Sequence, residues 1–261
     1  MFNGVNLRLS IALMGPSVKK PVTTWVTKYN KWNAEARAFL LSTITYISLN
    51  DYSSQLNVIA KIGDQVENSI LSKMQIPRRL EILESSIQQH LVYYKNTGVN
   101  HWITATDFPP RTFRGDQPSA SSRQTTFALK DERSKEFCVC CINSNLFYWL
   151  YIVKTNCRDL NPSDIRSFPI LRNIEKDVRF QRLASELMMS LDENSRYTVR
   201  QQKQTGEIRI QSFRPRFSKP IIDEIDRVLA QHYGFTAEEL DFIINYDIKY
   251  RLGDALFEAQ E

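Results

Sequence analysis

An α+β fold is what this sequence predicts, and three patterns predict it. Residues 7–13 alternate Leu7, Leu9, Ile11 and Leu13 with Arg8, Ser10 and Ala12, the period of a half-buried strand. Residues 172–195 place Ile174, Val178, Leu183, Leu187 and Met188 on one side of a helix, so that segment is predicted as amphipathic. Near the C-terminal third, "YTVRQQKQTGEIRIQSFRP" sets two polar, strand-like arms about Thr205-Gly206, the chemistry of a hairpin turn. The predicted order is a short N-terminal β-hairpin with a helix, a mixed α/β body, and a helical C-terminal tail.

Each element has its own signal. The first strand stops at Gly15-Pro16, and "PVTTWVTKYNKW" supplies the β-branched and aromatic residues of a second strand paired with it. Asn33 can cap a helix that runs through Ala34–Phe39. Residues 50–75 carry Leu56, Ile59, Ala60, Val66, Ile70 and Leu71 at helical spacing, interrupted at Gly63-Asp64. Short strands are expected at 91–95, 101–106 and 124–130, with a long loop between Pro109 and Arg123. Residues 133–153 follow, as a helix or as a strand and a helix. Pro220 opens a helix that Gly234 closes, and Thr236 with Glu239 three residues on is the capping box of another.

Composition narrows the function classes. No run of eighteen apolar residues and no basic leader with a cleavage site occur, which predicts a cytoplasmic protein without a membrane segment. Cys138, Cys140, Cys141 and Cys157 lack the paired C-x-x-C spacing of a zinc site, and His90, His101 and His232 are never four residues apart. Neither a metal site nor a Ser-His-Asp triad is expected. The net charge of +5 is a sum of opposites: residues 220–261 carry 3 Lys/Arg against 10 Asp/Glu, while residues 1–219 carry 31 against 19. A basic body with an acidic appendix is the footprint of a polyanion binder.

Three stretches, "YYKNTGVNHWITATDFPP", "INSNLFYWLYIVKTNCRDLNPSDIRSFPI" and "SKPIIDEIDRVLAQHYGFTAEELDFIINYDIKYRLG", resemble in this order the C-terminal region of adenine-N6 DNA methyltransferases of restriction–modification systems, TaqI-like and Type IIG restriction–methylation enzymes. "FNGVNLRLSIALMG" and "TTWVTKYNKWNAEAR" look like the last strands of their catalytic domain. The resemblance implies four parts: residues 1–50 as the remnant of a Rossmann-like methyltransferase domain, 51–76 as a helical connector, 77–219 as a DNA target-recognition domain, and 220–261 as the acidic helical tail. The partners it implies are double-stranded DNA and a methyltransferase catalytic domain in cis or trans. S-adenosylmethionine is implied for that catalytic portion. No cofactor is expected on this chain, which has only 8 glycines, no G-x-G and no Asn-Pro-Pro-Tyr motif. "TDFPPR" has Phe108 between Asp107 and Pro109, so it reads as a rigid turn. No catalytic residue is expected here, and the chain alone is predicted inactive. Its catalytic portion is then a separate subunit, a part lost from a broken gene, or the rest of a longer polypeptide.

A recognition domain needs cations for phosphates and side chains for base edges. Lys95, Arg111, Arg114 and Arg123 flank the loop region 96–123, where Asn100 can pair with adenine and His101 can stack; Trp102 either wedges into the duplex or packs in the core. On the hairpin, Arg196, Arg200, Lys203, Arg209, Arg214 and Arg216 suit backbone contact or, equally, a charged edge that blocks aggregation. The segment 137–170 reads as core through Phe137, Val139, Ile142, Leu146, Phe147 and Trp149. Lys154 and Arg158 stand at its far end, and by resemblance that turn lies beside the DNA. Two rival readings are a small metal-dependent nuclease, for which Glu207 and Arg209 stand one step from a Glu-x-Lys pair, and a protein-interaction fragment without DNA binding.

Overall fold

The computed structural model describes residues 24–30, 38–49, 59–97, 101–119, 124–202 and 206–252. The chain divides into two compact units, residues 1–64 and residues 65–261. Helix and small antiparallel sheets are mixed along it, with a helical C-terminal end.

In the first unit, β1 (Thr24–Val26) pairs antiparallel with β2 (Ile47–Leu49), and a short helix, α1 (Leu40–Thr43), lies between them. The strand predicted at 7–13 and the helix start at 31–37 lie outside the described residues, as does 51–58 of the connector. The partner of the second predicted strand, among the described residues, is β2.

The second unit begins with α2 (Gln65–Lys73), directly after the Gly63-Asp64 break that the sequence signals. A three-stranded sheet follows, with β3 (Leu91–Lys95) between β4 (Ala105–Thr106) and β7 (Gln124–Ala128). Inserted before β7 are β5 (Thr112–Arg114) and β6 (Gln117–Ser119). The long loop expected between Pro109 and Arg123 is therefore corrected: it carries two strands. Gly115 turns the chain between them at φ 56, where a side chain would be strained, and β5 is a strand because its partner arrives from residues 206–212. The strand expected over 101–106 shrinks to two residues for a similar reason. The Trp102 indole donates to the carbonyl of Arg251 at 3.0 Å, which draws that segment to the C-terminal end.

Residues 133–153 form two helices, α3 (Glu132–Asn143) and α4 (Asn145–Lys154), so the Cys-rich run is helical. Ser144, extended at ψ 154, ends one and caps the other: its hydroxyl accepts from Phe147 N at 3.0 Å. Every residue of α4 from Asn145 to Val153 is buried, and a helix apolar on all sides sits at the centre of a core. Phe137 packs edge-on to Phe180 at 5.1 Å, and burial pushes the Cys138, Cys140 and Cys141 thiols well above their ordinary range. Cores of this kind leave no thiolate for chemistry. Among the described residues no single helix is long and apolar enough to cross a membrane.

Around this pair pack α5 (Pro162–Arg166), α6 (Arg179–Glu193), α7 (Lys219–Tyr233), α8 (Ala237–Asn245) and α9 (Ile248–Leu252). The α6 stripe is Phe180, Leu183, Ala184, Leu187, Met188 and Leu191. Val178, expected on it, precedes the helix and is 73% exposed. The two predicted stops are found: Gly234 ends α7 at φ 67, and Thr236 and Glu239 exchange both bonds of a capping box. Glu239 also receives Lys73 at 2.6 Å and Ser69 at 2.7 Å, which fixes α8 to α2. Strands β8 (Arg196–Gln202) and β9 (Gly206–Ser212) form the predicted hairpin, and β9 pairs on its other side with β5, giving the order β6-β5-β9-β8.

The centre is organised by a buried acid. Asp226 of α7 accepts from Asn145 N and Leu146 N, both at 3.0 Å, and from Asn145 Nδ2 at 2.6 Å, so it holds the first turn of α4. Burial pushes its carboxyl up to about 7 against the pull of those N–H groups. Arg251 donates to Asn145 Oδ1 and lies 3.8 Å over the Trp102 ring. Asp226→Ala strands two buried N–H groups and an amide; an unfolding free energy lower by roughly 3–5 kcal/mol is expected in urea titration.

A second acid gives a pH signature. Asp177 accepts from Arg179 at 2.6 Å and from His232 Nε2 at 2.8 Å, and the Arg179 bonds hold its carboxyl far below the ordinary range. A carboxyl whose folded pKa lies below its unfolded value stabilises above about pH 4 and loses that contribution as pH falls through the folded value. Urea midpoints measured from pH 5 to pH 2 should therefore fall more steeply for the native chain than for Asp177→Asn.

Candidate nucleic-acid interface

Side chains alternate across a strand, so the pairing register decides which cations share a face. Arg114 stands opposite Ile208, and Ile208 opposite Arg200; Thr112, Ile210 and Thr198 form the next row, and Arg196 faces Ser212. Arg114, Arg196 and Arg200 therefore lie on one face of the four-stranded sheet. With strands about 4.8 Å apart and about 3.3 Å per residue, Arg114 and Arg200 are separated by roughly 10 Å and Arg200 and Arg196 by roughly 13 Å at the backbone. Thr112 and Ile208 are buried between them, and the three arginines are exposed. Among the described residues, none of the three has a carboxylate within ion-pair distance.

Just past β9, the turn Pro215–Ser218 extends the charge. The Arg214 and Arg216 guanidinium carbons lie 4.6 and 4.8 Å from the Phe217 ring centre, and that ring is 45% exposed. Desolvation and the like charges of Arg196 and Arg216 lower the Arg214 guanidinium from its ordinary value, so these cations crowd one another. Arg214 spends one donor on the Asn194 carbonyl at 2.7 Å. The group is an arginine rank with an aromatic at one end, suited to a polyanion.

The opposite face is arranged differently. Arg111 binds Asp192 at 2.6 Å, and Tyr197 together with this acid raises its guanidinium above the ordinary range; Arg209 binds Asp116 at 3.1 Å and lies 5.4 Å from the Phe113 ring. Glu207 is 3.9 Å from Arg209, and among the described residues no three His, Cys, Asp or Glu gather as metal ligands. Gln211, buried, donates to Asp192 at 2.7 Å and to Ser195 at 2.9 Å, and Arg111 N donates back to Gln211 Oε1 at 3.0 Å. This face is pinned to the end of α6. Arg111 and Arg209 are neutralised fasteners, whereas Arg114 and Arg200, equally basic in the sequence, are not.

The remaining candidates divide among other places. Lys95 ends β3, and Leu160 N donates to Asn96 O at 2.8 Å while Thr97 pairs with Asp159, so Lys95 and the turn bearing Arg158 meet at one edge. Arg158 is 79% exposed, 3.7 Å from Asp159. His101 is turned to the C-terminal end, stacked 6.0 Å from Tyr250, with its carbonyl accepting from Arg251. Trp102, by its bonds to Arg251, packs rather than wedges. Lys154 is half-buried in a pocket of α4 and α5. Asn100, Arg123 and Lys203 lie outside the described residues. Phe217, with its two guanidiniums, had no signal in the sequence beyond "FRPRF" itself.

A scan against protein-family models and searches of curated proteins and of solved structures find no match. The functional reading rests on the chain's own residues.

The two faces should separate in hydrogen exchange. Arg111→Ala leaves Asp192 held by Gln211 alone and loosens the sheet, so faster exchange is expected in Thr112–Arg114 and Gly206–Ser212; Arg114→Ala should leave both segments at the native rate by mass spectrometry.

Proposed function

We propose that this chain is a DNA target-recognition module that works with an adenine-specific methyltransferase catalytic portion of a restriction–modification system, in cis or in trans. The observation that carries the reading is the rank of Arg114, Arg196 and Arg200 on one sheet face without carboxylate partners among the described residues. Polyanion affinity comes from such cations, because each phosphate they neutralise releases condensed counterions. A two-stranded ribbon is also one of the shapes the major groove admits, and β8–β9 is a ribbon exposed along its outer strand. Arg158 and Lys95 form a second, smaller contact point on the body.

S-adenosylmethionine belongs, in this reading, to the catalytic portion. The strand pairs among the described residues are all antiparallel, so these residues hold no parallel strand–helix–strand unit and no glycine-rich turn leading from such a strand into a helix, and they do not fit the group. No step of the methyl transfer is assigned to this chain.

Fluorescence anisotropy on a DNA duplex between 50 and 200 mM salt tests the proposal. Binding should weaken steeply with salt, and the triple variant Arg114→Ala, Arg196→Ala, Arg200→Ala should flatten the log–log slope by about three, at about 0.9 per phosphate contact. Arg209→Ala should leave the slope near the native value. Absent or salt-independent binding would sink the reading.

A further inference from the structure

Phe217 stands on the short turn Pro215–Ser218 that carries the chain from β9 into α7, and its ring is 45% exposed. The turn is fixed from below. Pro215 and Ser218 are buried, the Ser218 and Ser190 hydroxyls are hydrogen-bonded at 2.8 Å, and Lys219 behind them binds Asp223 at 2.5 Å and the Ile244 carbonyl at 3.1 Å. A ring on such a mount loses little conformational freedom when something stacks on it.

Two guanidiniums border the ring. Those of Arg214 and Arg216 lie 4.6 and 4.8 Å from its centre, and the π electrons attract each, which offsets part of their mutual repulsion. Among the described residues, neither arginine has a carboxylate within ion-pair distance. Arg214 donates from Nε to the Asn194 carbonyl at 2.7 Å, and Asn194 is two residues from Arg196, which pairs with Ser212 at the end of β9. Phe217 therefore adjoins the arginine rank.

A single exposed phenylalanine is ordinary on a protein surface. This one differs in its company, an apolar ring held rigidly beside two cations at the end of the row formed by Arg114, Arg196 and Arg200. Phosphates alone would account for the arginines and leave the ring without a use. A nucleotide accounts for both, because its base is a flat π surface and its phosphates are anions, and an aromatic beside a basic track holds unpaired bases by stacking. Within an intact duplex each base is covered by its neighbours, so the ring needs one that is not.

We propose that Phe217 stacks on an unpaired nucleic-acid base, with Arg214 and Arg216 on the phosphates that flank it. This site depends on the DNA reading of the arginine rank and adds a preference to it, for DNA with a base out of the stack over fully matched DNA.

Fluorescence anisotropy of the full chain on two labelled duplexes tests it, one fully matched and one carrying a single unpaired thymine, across the same salt range. The bulged duplex should bind roughly tenfold more tightly. Phe217→Leu keeps apolar bulk but has no π face, so it should melt near the native Tm, hold the matched duplex as the native chain does and lose the preference; Phe217→Trp should keep it. Arg216→Ala should flatten the salt slope on the bulged duplex by about one, at about 0.9 per phosphate contact. An unchanged slope would overturn that phosphate contact. Equal native affinity for the two duplexes, a preference that survives in Phe217→Leu, or an equal loss on both duplexes in that variant would overturn the stacking while salt-dependent DNA binding stands. Binding to neither duplex removes the DNA reading and this site together.

Discussion

Asp226 sits sealed from water at the meeting point of α7 and the first turn of α4, and its two oxygens receive the N–H groups with which α4 begins. Those groups are orphans of any helix start, and inside a core they need an acceptor. Asn145 then passes the connection outward, giving its amide to Asp226 and Asp223 and receiving Arg251, which itself lies against Trp102 and Tyr148. Lys219 closes the ring by binding Asp223 at 2.5 Å and the Ile244 carbonyl at 3.1 Å. Central helix, acidic tail and the segment at 101–103 are thus one polar cluster within an apolar body. The negative charge of the tail, which in sequence looks like an appendix, is partly spent on organising the core.

That core in turn gives the basic sheet a fixed base. Asp192 and Ser195 at the end of α6 hold Gln211, and Gln211 holds the backbone of Arg111, so side chains from the helical body reinforce the backbone pairing of β5 with β9. A sheet supported this way has one pinned face and one that carries charge. Parity along each strand then decides the fate of every arginine. Arg111 and Arg209 fall on the side with Asp192, Asp116 and Glu207, and Arg114, Arg196 and Arg200 on the other, where among the described residues none of the three has a carboxylate within ion-pair distance.

How much of this the sequence discloses depends on whether the cause is local. Helix ends are local, and the Gly234 stop, the Thr236–Glu239 capping box and the hairpin about Thr205-Gly206 are all legible from a few residues. The strand at 112–114 is not, because Thr112, Phe113 and Arg114 become a strand only when β9 arrives. The sequence leaves the Cys-rich run open between helix and strand, because a segment buried on nearly all sides has little periodicity to read, and the structure makes it helical. At the interface, composition announced the arginines but not their sorting, since the relative parity of Arg200 and Arg209 depends on the number of residues in the turn. Trp102 and His101 went elsewhere than the polar-loop reading suggested because their partners, Tyr250 and Arg251, lie in the tail.

The bond from Arg111 N to Gln211 joins positions 100 residues apart in the chain, and β5 has its two neighbours from opposite sides of that gap. Closing such a loop costs entropy that the contacts of the folded body must offset. The arginine rank consequently exists only where that long-range pairing has formed. A nascent or partly unfolded chain carries the same charges, but scattered, so the cationic face itself reports that the helical body beneath it has been completed.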